Sequence, residues 1–100
     1  MPARNLAAVL TAFVQIHAEP DRIADLATEI AGLDGVSEVY SVTGDLDLVA
    51  IVRVREQEQL ADVVTKHIAC CDGIVHTTTM VAFQAYSRHD LDSMWGLGLD

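Results

Sequence analysis

The sequence predicts an α+β domain made of two βαβ halves, and three observations predict it. Residues 6–18 and Leu46–Arg55 alternate between apolar and mixed positions with the period of a strand. Each is followed by a stretch with apolar residues at helical spacing. The two halves also echo one another. Ile30-Ala31 with Asp34-Gly35-Val36 returns as Ile68-Ala69 with Asp72-Gly73-Ile74, and Ala12, Val14 and Ile16 match Ala50, Val52 and Val54.

In the first strand, Leu10, Ala12, Val14, Ile16 and Ala18 share one face, and Val9, Thr11, Phe13, Gln15 and His17 the other. Pro20 ends the ladder, and Asp21 stands where a helix N-cap is expected. Ile23, Leu26, Ala27, Ile30 and Leu33 form a helical stripe, which glycine stops between Gly32 and Gly35. Val36–Thr43 is expected as the second strand, with Val36, Tyr40 and Val42 alternating against Ser37, Val39 and Ser41. Gly44-Asp45 then signals a tight type II′ hairpin.

In the third strand, Leu46, Leu48, Ala50, Val52 and Val54 share a face, while Val49 and Ile51 make the centre of the opposite face apolar. That is the pattern of an interior strand. A second helix over Glu58–Cys71 points Leu60, Val63, Val64, His67, Ile68 and Cys71 inward. After Asp72-Gly73 a last strand runs from Ile74 to about Tyr86. Residues 87–100, with Met94, Trp95 and Leu97, read as a tail that docks on the domain (residues 1–86) or on a neighbouring subunit.

Two linked βαβ units make βαββαβ, the ferredoxin-like arrangement: a four-stranded antiparallel sheet with both helices on one face and strands one and three central. The helix-free face then carries Val9, Phe13, Val49 and Ile51. An apolar patch of that kind is expected to pair with the sheet of a second copy. Composition agrees, since 51% of the 100 residues are hydrophobic, more than so small a globule readily buries.

The formal net charge of −9, with only six lysines and arginines, argues against direct nucleic-acid contact and against anionic membranes. No apolar run approaches a membrane span, and no signal-peptide pattern is present, so the expected location is cytoplasmic. The adjacent Cys70 and Cys71 lack a redox spacing and read as helix-end packing residues. His17, His67, His76 and His89 show no local ligand spacing, so no metal or cofactor and no catalytic residue is expected.

Two stretches have the chemistry to hold a small zwitterion. Asp45 and Asp47 offer acceptors for an ammonium group, and backbone N–H groups around Gly44 offer donors for a carboxylate. Thr77 and Thr79 place two hydroxyls on one side of the last strand. An ordinary Gly-Asp turn, and threonine's preference for strands, account for the same residues without a ligand.

Gly35-Val36, Glu38-Val39-Tyr40, Val42-Thr43-Gly44-Asp45-Leu46-Asp47-Leu48 and Gly73-Ile74-Val75 with Thr77-Thr78-Thr79, in this order, resemble the effector-binding (RAM) domain of Lrp/AsnC transcription regulators. The resemblance implies a domain that dimerises through its sheet, assembles into rings, commonly octamers, and binds an amino-acid effector between dimers. By that resemblance the contacts fall on Gly44, Asp45, Leu46 and Asp47, with Tyr40, Thr77 and Thr79 completing the shell from a neighbouring subunit. Only Met1–Asn5 precede the first strand, so the chain is expected to act without a helix-turn-helix domain, as a stand-alone sensor or a partner of a family regulator. The alternatives are a small dimeric α+β-barrel enzyme of monooxygenase or isomerase type and a ligand-free oligomerisation module. The apolar helix-facing positions disfavour the enzyme.

Overall fold

The computed structural model describes residues 9–86 and residue 88. The expected tail contacts of Met94, Trp95 and Leu97 lie outside the described residues, as do strand positions 6–8.

Strand β1 (Leu10–Ala18) leads through a 3-10 turn (Pro20–Arg22) into helix α1 (Ile23–Ala31), followed by β2 (Val36–Ser41) and β3 (Leu48–Val54). Helix α2 comprises an α-helical Gln57–Asp62 and a π-helical Val63–Ile68, and β4 (Ile74–Val81) closes the order. The strands form one antiparallel sheet in the order β2-β3-β1-β4, the ferredoxin-like α+β arrangement, with β1 and β3 central.

The core lies between one face of this sheet and the two helices. Ala12, Val14 and Ile16 of β1 and Leu48, Ala50 and Val52 of β3 are fully buried against Leu26, Ile30 and Ile68, with Leu60 and Val63 beside them. Each of the larger aliphatic side chains contributes about 1.5–3 kcal/mol relative to exposure. No buried polar or charged side chain occurs among the described residues. Among the described residues the interior is filled by aliphatic side chains.

The sequence echo is also an echo of backbone geometry. Gly35 and Gly73 both have positive φ, at 92° and 99°. One residue after each of Val36 and Ile74 the strand carries an extra residue. The ladder slips between Val36 and Glu38 against β3, and between His17 and Ala18 against β4. These bulges decide which side chains face out.

They also correct the expected phase of β2. Val36 and Val39 together pack on the core, while Tyr40 pairs with Val49 and stands on the helix-free face. Ser37 is the inserted residue, and a simple alternation does not survive it.

Four further expectations are revised. The hairpin is wider than a two-residue turn: the Val42 N–H donates to the Asp47 carbonyl at 3.0 Å, so 43–46 form the loop and β3 starts at Leu48. The N-cap of helix α1 is Arg22, not Asp21: Asp21 lies inside the 3-10 turn that precedes the helix, and Glu19 caps that turn. Strand β4 ends at Val81, although the Ala82 N–H still donates to the Thr11 carbonyl at 2.7 Å.

His67 is exposed, not inward. A π-turn takes more residues per turn than an α-turn. Val63 and Ile68, five apart, are therefore the buried pair, and His67 is swung outward.

Candidate ligand-binding site

The loop between β2 and β3 is built on one anchored carboxylate. Asp47 donates its N–H to the Ile16 carbonyl at 3.0 Å, and its Oδ2 accepts the Ala18 N–H at 2.9 Å. The end of β1 is thus clamped to the loop by a side chain, because the β3 ladder has not yet begun. Gly44, at the tip, has φ 112°, and a Cβ there would meet nothing within 4 Å. Asp45 beside it is exposed, and Leu46 is half-buried.

Asp47→Ala leaves the Ala18 N–H without its acceptor. It is expected to cost about 1–2 kcal/mol, read as a lower urea midpoint at unchanged m-value.

The structure separates the other predicted residues. Tyr40 stands on edge strand β2 and on the helix-free face, half-exposed. Its hydroxyl donates to the Glu38 carboxylate, which also meets Arg53 Nη1 at 3.3 Å. Tyr40's hydrogen bond, and then Arg53's, hold the Glu38 carboxyl below its ordinary pKa, and the same Glu38 contact raises that of the Tyr40 phenol.

Thr77 and Thr79 lie on the opposite edge strand, β4. They pair with Ile16 and Val14 and so face the helix side. Thr77 is half-buried, and Thr79 lines a shallow groove of about 230 Å³ with Gln57, Leu60, Ala61, Val64 and Thr65 of α2. With two strands between them, β2 and β4 lie about 14 Å apart. One chain therefore cannot bring Tyr40 to the threonines. It does bring the loop and Thr77 to the same end of the sheet, along the row Leu48–Ile16–Thr77.

Sequence reasoning missed two concavities. One, of about 210 Å³, is lined by Asp34, Gly35, Val54, Gln59, Asp62, Val63 and His67. The other, of about 370 Å³, lies on the helix-free face among Val9, Thr11, Phe13, Arg53 and residues 82–85. His67 enters the first because of the π-segment, and no local spacing in the sequence signals that.

Cys71 lies against the core, with its thiol donating to the His67 carbonyl at 3.2 Å. Burial first, and Glu29 next, push it up to about 11. That is the environment of a packing thiol. No helix among the described residues is long and apolar enough to cross a membrane, and no group of three or more metal-ligating side chains occurs among them.

Comparison with known proteins adds an independent line. A family model for the Lrp/AsnC ligand binding domain matches residues 11–91. The uncharacterized HTH-type transcriptional regulator PF0250 of Pyrococcus furiosus is 36% identical over 76 residues, covering 73% of this chain and 51% of that protein. The chain spans about half the length of the curated relatives it matches. Among solved structures, TTHA0845 from Thermus thermophilus is 49% identical, covering 79% of this chain and 99% of that one, with a TM-score of 0.75. The transcriptional regulator NMB0573 from Neisseria meningitidis, solved as an L-Met complex, shares the fold with a TM-score of 0.73 at 16% identity. That match covers 87% of this chain and 56% of the regulator.

Proposed function

This chain belongs to the Lrp/AsnC ligand-binding domain family, and from that premise we propose that it is an oligomeric sensor of free amino acids that serves transcription regulation. The observation that carries the proposal is the split of the ligand groups. The Gly44–Asp47 loop presents an exposed carboxylate and glycine backbone, while Tyr40 and Thr77/Thr79 sit on opposite edges and faces of the same sheet. A ligand that uses all of them needs two copies.

In this reading Asp45 receives the ammonium group, and N–H groups about Gly44 receive the carboxylate. The threonine hydroxyls arrive from a second chain. The L-Met complex of the Neisseria regulator supports an amino acid as the ligand class for this fold. Dimers form through the helix-free face, and dimers of dimers, up to an octamer, complete the sites. An effector that bridges subunits stabilises whichever assembly presents both halves. The DNA contact belongs to a regulator with which the domain is joined or assembled, since its own charge of −9 repels phosphate.

The test is a panel of the twenty amino acids at millimolar concentration, followed by thermal melting and light scattering. A cognate effector at about a hundred times its Kd adds about 2.7 kcal/mol, which in a domain of this size raises Tm by about 10 °C or more. It should also enlarge the assembly. Asp45→Asn is expected to abolish the response while leaving the unliganded melt within about 0.5 kcal/mol of the parent. A flat panel in both measurements would leave a ligand-free oligomerisation module as the function.

A further inference from the structure

The second bulge places a histidine pair where no motif announced one. His17 on β1 and His76 on β4 are direct cross-strand partners, with ring centroids 5.9 Å apart and planes tilted by 42°. Both stand on the helix-free face, because their neighbours Ile16, Ala18 and Thr77 turn toward the helices. His76 is exposed and His17 half-buried. His76 Nε2 lies 3.3 Å from Thr78 Oγ1, and Asp47 brackets His17 from the β3 side through its bonds to residues 16 and 18.

We propose that His17 and His76 form a two-imidazole binding site for a divalent transition ion of the zinc, copper or nickel class.

Bonds of about 2.0–2.1 Å from a zinc ion to two imidazole nitrogens hold the ring centroids about 5–6 Å apart, a range that includes the 5.9 Å between these two rings. In the tautomer that carries the proton on Nε2, that N–H donates to the Thr78 hydroxyl and the His76 Nδ1 lone pair is free to ligate. A hydrogen bond on the second ring nitrogen is the usual way a ligating imidazole is oriented. Neutral imidazole suits this class of ion, whereas magnesium and calcium require oxygen ligands. Two coordination positions remain for water.

The pair shares the helix-free face with the dimer contact proposed above, but lies off its centre. His17 lies four residues along β1 from Phe13, about 13 Å, at the margin of the apolar face and not at its centre. The alternative role of the pair is a tilted aromatic contact, which also occurs at centroid spacings of about 4.5–7 Å.

The experiment is a zinc titration of the full chain without a histidine tag, followed by calorimetry and by the histidine ring resonances in NMR. One ion per chain is expected, with the His17 and His76 rings perturbed and the exposed His67 ring unchanged. His17→Gln and His76→Gln should each weaken zinc binding by about tenfold or more. His67→Gln and magnesium in place of zinc should show no effect and no binding, respectively. Far-UV circular dichroism checks the fold. Should His17→Gln disturb the sheet, His76→Gln on the exposed edge strand carries the test alone. No saturable binding at millimolar zinc, or binding by both glutamine variants as tight as the parent's, would show an adventitious ion only and overturn the proposal.

Discussion

Replacing Gly35 with alanine is expected to destabilise this domain strongly. Gly35 sits at φ 92° between α1 and β2, and a Cβ there would lie 2.9 Å from Val63 Cγ2 and 3.2 Å from Val54 Cγ1. An L-residue pays about 1–2 kcal/mol for a left-handed backbone, and overpacking a filled core adds about 1–3 kcal/mol. Both valines are buried, so a shift of either disturbs the packing beneath it, although both also line the concavity of about 210 Å³ beside Gly35.

The expected loss is therefore roughly 3 kcal/mol, or a fall in Tm of more than about 10 °C. Gly44→Ala is the control. It shares the positive φ but meets nothing within 4 Å, so only the backbone penalty should appear. Equal losses at the two positions, measured by urea denaturation, would mean that the Val63 contact contributes nothing.

Phe13→Glu is expected to split the assembly. On the helix-free face Phe13 stands between Ile51 of β3 and Met80 of β4, in a row whose outer member is Glu38. Ile51 is already 8% exposed within one chain, whereas Met80 is 46% exposed and Tyr40 51%. With Tyr40 in the neighbouring row, the face is thus covered at its centre and open at its flanks, which is how half of an interface looks before its partner arrives. A carboxylate at the central anchor costs at least the ~2 kcal/mol of an interface hot spot and, with its desolvation, raises the dimer Kd by about a hundredfold or more. Sedimentation at micromolar concentration should find monomer with unchanged circular dichroism. A variant that sediments with the parent would place the contact on another surface.

The parts of this fold that can be read from sequence are those where a period persists. β1 alternates in burial from Thr11 to Ala18, β3 keeps its core-facing set with Ile51 buried as well, and the fully buried residues of both strands are those expected. The echo of Asp-Gly followed by an aliphatic residue correctly marks the entry to both second strands. What the sequence hides is a single inserted residue. Ser37 has nothing unusual about it, yet it turns Val39 inward and Tyr40 outward. The widened turn at Val63–Ile68 likewise carries no glycine or proline, so the exposure of His67 follows from packing alone. Asp47 was legible as a functional candidate by type. Its engagement with the Ala18 N–H depends on where β1 ends in space. The histidine pair was invisible for the same reason, since cross-strand neighbours far apart in sequence have no local spacing.

The position of β1 has a consequence for how the chain is made. Both of its edges are closed by later segments, first by β3 and then by β4. During synthesis, β1 leaves the ribosome before the other strands of this sheet and is the last of them to be completed on both sides. Until Ile74–Val81 has emerged, one edge of β1 offers unpaired N–H and C=O groups to any neighbouring nascent chain. Pairing of such distant segments also slows closure. A domain whose copies are born close together on one message meets its own kind during that interval, when β4 of one chain fits the open edge of another.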